Sequence, residues 1–293
     1  MVKPICFQNI LLADDGSEHA RAAIQLLLKL PLSLQTHITV LRVFGSQQAT
    51  EAFLLEAALK ETCTLLRDKG YQADPELVLG SPAEKIIEYT DQHQPDLIVL
   101  GAKGLRATLG ILLGGVAQQV IEYASCPVLV VRAPQNRLQR ILLVVDGSPN
   151  SQHAAECLAQ FPFPDQADLR VMHVLPPQYP AIVPELPYGI PVETPTMITA
   201  EIARQRAAEE DEGHRLLTHV AEILGASHLQ ITTVLKSGDA ATEIIEYVKK
   251  NQIDLIVAGS RGLSRVRSWL LGSVSRKLVH YSGCSVLIVR GQG

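Results

Sequence analysis

Aromatic residues are scarce in this sequence: Phe, Tyr and Trp make up 4% of 293 residues, with a single Trp. The cores must therefore be built from Leu, Ile, Val and Ala. With 47% hydrophobic residues, that palette suits a parallel α/β layer arrangement better than a β-sandwich. Cysteine is sparse as well. Cys6, Cys63, Cys126, Cys157 and Cys284 form no CxxC pair and no metal-ligand spacing. An odd, scattered set predicts buried thiols in a reducing compartment. No apolar run approaches the roughly 18 residues that span a bilayer, and the first residues lack the apolar segment of a signal peptide. Nor is there an excess of positive charge: the net charge is −4, which argues against a nucleic-acid partner. These absences predict a cytoplasmic protein with no membrane span.

What is present is a repeat. Residues 10–17 read ILLADDGS and residues 141–148 read ILLVVDGS, an offset of 131. Residues 96–104, DLIVLGAKG, match residues 254–262, DLIVAGSRG, at an offset of 158. The second offset also aligns EKIIEY (84–89) with TEIIEY (242–247), and ASCPVLVVR (124–132) with SGCSVLIVR (282–290). Two copies of one domain occupy the chain, residues 1–134 and 138–293, and the change of offset gives the second copy 27 extra residues. The extra length falls at about 176–198, where seven prolines from Pro176 to Pro195 predict an extended surface excursion. A helical stretch over 200–224 then resumes the domain.

Each copy reads as strands alternating with helices. In copy one the strands are an aliphatic run ending in Asp-Gly-Ser, then 38–44, 76–79, 96–100 and 128–131. Between them lie a helix with a core-facing stripe (Ala20, Ala23, Ile24, Leu27), a long helix over 51–69, a helix opening near Ser81-Pro82, and one after a Gly-rich loop. Such alternation implies parallel strands with right-handed crossovers, and near-continuous aliphatic strands imply cover on both faces. The expected fold is α/β: two tandem doubly wound, Rossmann-like domains, each a five-stranded parallel sheet flanked by helices.

Open α/β sheets bind ligands beyond the carboxyl ends of their strands, where the strand order reverses. Asp146 closes the first strand of copy two, and Asp15 that of copy one. After the fourth strand of copy two come Gly259-Ser260-Arg261-Gly262, nine residues, and then Gly272-Ser273-Val274-Ser275 opening a helix. Glycines admit a phosphate close to the backbone, and helix-opening N–H groups donate to it. Plainer readings stay open. The glycines could merely end a strand, and Asp146 or Asp15 could be a helix N-cap. Arg261, Arg265 and Arg267 could line a solvated loop. His173 and the equivalent pair Cys126 and Cys284 suit packing. Trp269 is left between capping the site and touching the other copy. No P-loop and no GxGxxG after the first strand occurs. The Asp14-Asp15 pair resembles the acidic pocket of response-regulator receivers, but copy two has Val145 in place of the first Asp, and no Lys ends the fifth strand.

The pattern G-x2-G-x9-G-[ST], carried here by Gly259, Gly262, Gly272 and Ser273 before a helix and a CPVLVV-like last strand, resembles the universal stress protein family. The resemblance covers nearly the whole chain, twice. It implies an ATP site, with or without Mg²⁺. In copy two Asp146 would contact the ribose and Val174 the adenine through its backbone. Gly259, Gly262, Gly272 and Ser273 would hold phosphates, with Val274 and Ser275 adding to that turn. The corresponding positions in copy one are Asp15, Val43, Gly101, Gly104, Gly114 and Gly115. There Gly115 replaces the Ser/Thr and Ala117 the second serine, so two hydroxyls are lost. At about 0.5–1.5 kcal/mol per net hydrogen bond, affinity falls roughly tenfold or more. The resemblance also implies dimerisation through the last strand. In a tandem chain, 128–131 and 286–289 could pair within one molecule, leaving room for a homodimer of whole chains and for a protein partner.

Three functions compete on these residues. The first is an ATP-binding regulatory, stress-response module with its better-preserved site in copy two. The second is a slow ATPase, though no general base or nucleophile recurs in both copies. The third is a nucleotide-independent interaction or apolar-ligand protein that uses the proline-rich excursion.

Overall fold

The computed structural model describes residues 7–104, 113–134, 137–164, 166–177, 195–225, 230–263 and 271–291. Most of the proline-rich stretch, together with Cys6, Arg265, Arg267 and Trp269, lies outside the described residues.

Copy one runs β1 (Asn9–Ala13), α1 (Glu18–Lys29), β2 (His37–Phe44), a 3-10 turn (Ser46–Glu51), α2 (Ala52–Asp68), β3 (Gln72–Leu79), α3 (Pro82–His93), β4 (Leu97–Gly101), α4 (Gly115–Tyr123) and β5 (Val128–Val131). Copy two repeats the order: β6 (Arg140–Val145), α5 (Pro149–Ala159), β7 (Asp168–Leu175), α6 (Pro195–Leu224), β8 (Gln230–Ser237), α7 (Ala240–Asn251), β9 (Leu255–Gly259), α8 (Ser273–Tyr281) and β10 (Ser285–Val289). Within each copy every strand pair is parallel. The strands line up as β3-β2-β1-β4-β5-β10-β9-β6-β7-β8, a single ten-stranded sheet. Its seam is the one antiparallel pair, with Val286 opposite Val130 and Ile288 opposite Val128.

The aliphatic runs are explained by cover on both faces. Leu129 and Val131 of β5 join one core with residues of α1, α2, α5 and α6. Val128 and Val130 join the other, with residues of α3, α4, α7 and α8. The period of two sends alternate side chains to opposite layers, so no position of such a strand is left polar.

Several boundaries move from the sequence reading. β3 starts at Gln72, not 76, because it is an edge strand: Pro75 and the polar residues around it are tolerated where one side has no partner to lose. The long helix starts one residue later than expected, at Ala52, because Glu51 closes the 3-10 segment. α6 begins at Pro195 rather than 200, since a helix accepts proline in its first turn; the excursion therefore ends before 198. Repetition reaches backbone detail. Gly16 and Gly147 turn the chain from strand into helix at φ +77 and +79, which a side chain would resist.

Candidate functional site

In each copy the strand order reverses between the first and fourth strands, β1 and β4 or β6 and β9, the place where open α/β sheets bind ligands. In copy two a cavity of about 220 Å³ lies there. All eight positions expected from the sequence line it: Asp146, Val174, Gly259, Gly262, Gly272, Ser273, Val274 and Ser275. The rest of the lining is mostly apolar, from Val144, Ala240, Ile244, Ala258 and Leu278, with Arg261 adding a positive charge. Those apolar residues have no motif; their signal is only that they sit on one face of their strand or helix.

Local hydrogen bonds set the geometry. Ser148, not Asp146, caps α5: its Oγ accepts from Ser151 N. The same hydroxyl donates to the Arg261 carbonyl at 3.3 Å, tying the first-strand turn to the Gly-rich loop. Ser17 does both jobs in copy one, accepting from Ala20 N and donating to the Lys103 carbonyl. Asp146 accepts from Ser148 N at 3.0 Å through one carboxylate oxygen. A Cβ on Gly262 would run into the other. The carboxylate thus faces the glycine loop, which disposes of the N-cap reading for both Asp146 and Asp15. In copy one the Ser17 N–H donates to Asp15 in the same way, and a Cβ on Gly104 would lie 2.5 Å from Asp15 Oδ2.

The glycines divide by purpose. A Cβ on Gly259 would lie 2.8 Å from the Asn150 backbone, and one on Gly101 2.7–2.8 Å from His19 and the Ala20 nitrogen. These two glycines let helix pack on strand, as well as standing beside the crevice. Gly272 N–H donates to the Ser260 carbonyl at 2.8 Å and Gly114 N–H to that of Ala102 at 2.8 Å, which fixes where α8 and α4 begin. Both helices open on glycine with no side-chain cap, unlike α1, α5 and α7. First-turn amides left without a side-chain partner are anion donors.

Ser275 needs correction as a phosphate donor. Its buried hydroxyl donates to the Gly259 carbonyl at 2.7 Å, so it joins helix to strand and only its N–H is left for a ligand. Ser273 is exposed at the start of α8. Copy one has Ala117 where Ser275 makes this tie and Gly115 where Ser273 exposes its hydroxyl. Val43 and Val174 pack partly buried against one and the same core.

The Asp14-Asp15 pair splits. Asp14 is buried and pairs with Arg42 at 2.6 Å, and it also accepts from Thr62 at 3.2 Å and from the Gly16 N–H. Arg42 Nε donates to the Asp14 carbonyl just as His173 Nδ1 donates to that of Val145. That carboxylate is a core ion pair, not an acidic pocket. Burial raises the thiols of Cys126, Cys157 and Cys284 to about 12, so they remain protonated packing groups.

One copy carries a titratable group where the other does not. His19 Nδ1 accepts from Ala133 N at 2.9 Å, and Asn150 Oδ1 accepts from Gly291 N at 3.0 Å at the equivalent place. Protonating Nδ1 would set donor against donor. Burial, with Lys103 and Arg132 nearby and Glu18 opposing, holds the His19 pKa below its usual 6.5. The folded state then binds fewer protons than the unfolded one. Its contribution is full above about pH 6.5 and is lost as the pH falls toward the lowered value. His19→Asn should flatten this acid loss, measured as urea midpoints at about pH 7.5 and about pH 5.5. A residue of acid sensitivity should persist from His280, which burial and Arg276 also lower. Equal losses in both proteins would refute the role of His19.

One doubly wound domain built twice on a continuous sheet, with a crevice lined by glycines, an acidic side chain and an uncapped helix start in copy two, defines the class of tandem Rossmann-like α/β proteins. More narrowly, the chain belongs to the universal stress protein family, whose profile matches residues 7–132 and again residues 137–290. It is similar to universal stress protein YxiE of Bacillus subtilis strain 168, 33% identical over 151 residues, or 52% of this chain and 98% of that protein. It is also similar to universal stress protein MJ0531 of Methanocaldococcus jannaschii, 29% identical over 55% of this chain and 87% of that one. The crystal structure of a universal stress protein from Archaeoglobus fulgidus DSM 4304 shares the fold along the full length: TM-score 0.67, 20% identity, 98% of each chain covered. Among the described residues no helix is long and apolar enough to cross a membrane.

Proposed function

We propose that the chain is an ATP-binding regulatory module whose working nucleotide site is in copy two. The observation that carries this reading is the single cavity lined by all eight expected positions, with an apolar lining for a base and an uncapped helix start for phosphate. Asp146 would take the ribose hydroxyls and the Val174 backbone the adenine edge. Gly262, Gly272 and the N–H groups of Ser273, Val274 and Ser275 would hold phosphate, aided by the Ser273 hydroxyl and Arg261. The fit is supported by the two places where a Cβ would fill the cradle, at Gly262 against Asp146 and at Gly272 at 3.2 Å from Arg261 Cα. Mg²⁺ would come with the phosphates. The functional units are residues 1–134 and 138–293, joined so that the β5·β10 seam replaces a subunit interface. Free thiols at Cys63, Cys126, Cys157 and Cys284 fit a reducing cytoplasm.

Isothermal titration with ATP, together with mass spectrometry of nucleotide released from the purified chain, tests the reading. One nucleotide per chain is expected, and none would overturn it. Copy one supplies a second test. Nothing lies within 4 Å of a Cβ on Gly115, so Gly115→Ser fits without strain. Combined with Ala117→Ser, which can remake the tie that Ser275 makes, it should strengthen binding in copy one about tenfold. No gain would show that the two hydroxyls do not set its affinity. A nucleotide-independent interaction role finds its support in copy one, where Phe53 and Leu54 of α2 are 78% and 65% exposed.

A further inference from the structure

Each copy's last strand is followed by an arginine that crosses the seam. Arg132, after β5, donates through Nη2 to the Val279 carbonyl at 2.5 Å. Arg290, after β10, donates through Nη2 to the Ile121 carbonyl at 3.1 Å and also to that of Glu122. The acceptors sit in the last turns of α8 and α4, where helix carbonyls have no partner within the helix and positive charge is favoured. Arg132 is only 7% exposed, and its backbone N–H donates to Ser285 Oγ, which anchors the main chain from which the side chain reaches across.

These are the same two helices that open on glycine, and the first turn of α8 lines the copy-two cavity. α8 has only nine residues, too few to be stable alone, so its placement depends on what grips its flanks and ends. The first turn bears the candidate phosphate donors of copy two, and the last turn is gripped by a residue of copy one. The reverse holds for α4 and Arg290.

We propose that Arg132 is a positioning residue for the nucleotide site of copy two, acting from copy one through the carbonyl end of α8, with Arg290 its counterpart for α4. The proposal rests on the nucleotide reading of copy two. Arg261 lines the same cavity whose helix start α8 provides, so a shift of α8 would also be felt beside that cation.

The test uses the full chain with Arg132→Gln, Arg132→Lys and Arg290→Gln, measuring ATP affinity by calorimetry and backbone hydrogen exchange. Arg132→Gln should weaken ATP binding about fivefold, the low end for coupled sites. It should raise exchange across α8 more than in β5, β10 or α4. Arg132→Lys, still a cation near Val279, should restore much of both, and it carries the test alone should the Gln variant not fold. Arg290→Gln should loosen α4 instead. Exchange that rises equally along the seam and α8 would reduce Arg132 to general stability and overturn the proposal. So would a loosened α8 with unchanged affinity. If the unsubstituted chain binds no ATP, the nucleotide reading falls and this proposal with it. That result is distinct from one in which both the unsubstituted and Gln chains bind equally.

Discussion

Gly262→Ala should cost about a hundredfold in ATP affinity while leaving the melting temperature close to that of the unsubstituted chain. The added Cβ would occupy the place of the second Asp146 carboxylate oxygen, so either the carboxylate or the glycine loop must move away. Moving the carboxylate forfeits charge-assisted hydrogen bonds to a ribose, and moving the loop withdraws a backbone face from phosphate. Either way about two hydrogen bonds at about 1.5 kcal/mol each would be lost, roughly 3 kcal/mol or about a hundredfold. Little of the core is touched, since Gly262 lies in a loop rather than in packed strand. Gly104→Ala makes the same collision with Asp15 in copy one and should leave the titration unchanged if copy two is the binding copy. Calorimetry on both variants decides the matter. A loss with Gly104→Ala and none with Gly262→Ala would assign the site to the wrong half.

The largest expected effect on stability belongs to Asp14. Its carboxylate and the Arg42 guanidinium are 2% and 9% exposed at the side chain and 2.6 Å apart. Asp14→Ala would leave Arg42 with the residue-14 carbonyl, strip the Gly16 N–H of its side-chain acceptor, and leave the Thr62 hydroxyl with the Ala58 carbonyl. Removing one partner of a buried pair costs about 3–5 kcal/mol, because the other charge stays buried. For a chain of this size that lowers the melting temperature by about 8 °C. The double variant Asp14→Val, Arg42→His imports the residues that copy two carries as Val145 and His173, and it should recover most of the loss. In copy two a histidine nitrogen already donates to the residue-145 carbonyl at 2.8 Å without any ion pair. A thermal scan of the single and double variants checks both claims. An unshifted single variant would mean that Arg42 finds water.

Much of this is legible in the sequence. The repeat offsets gave the doubled domain, and aliphatic runs between amphipathic helices gave parallel strands with both faces covered. The spacing from Gly259 to Ser273 marked the helix start that lines the cavity. What escaped had physical reasons. β3 hid its first half because an edge strand tolerates Pro75 and polar neighbours that would exclude a central strand. Ser275 looked like Ser273, two residues away on a helix, yet the turn between them rotates one hydroxyl inward to Gly259 and the other outward. Asp14 and Asp15 are adjacent, so the strand end sends one into the core and the other toward the glycine loop. The cross-seam arginines could not have been found at all. Their partners lie 147 and 169 residues away in sequence and are main-chain carbonyls, which no residue type advertises.

The seam between β5 and β10 has one more consequence. A dimer of identical chains is bound to its symmetry: any substitution appears in both halves at once, so a change that ruins one site ruins the other. Here the halves are separate stretches of a single chain that no dilution can part. Gly115 and Ala117 could arise in one half while Ser273 and Ser275 stayed in the other, and Asp14 with Arg42 could stand on one side where Val145 and His173 stand on the other. A fused pair can thus keep one half for a ligand and release the other to evolve toward a different task.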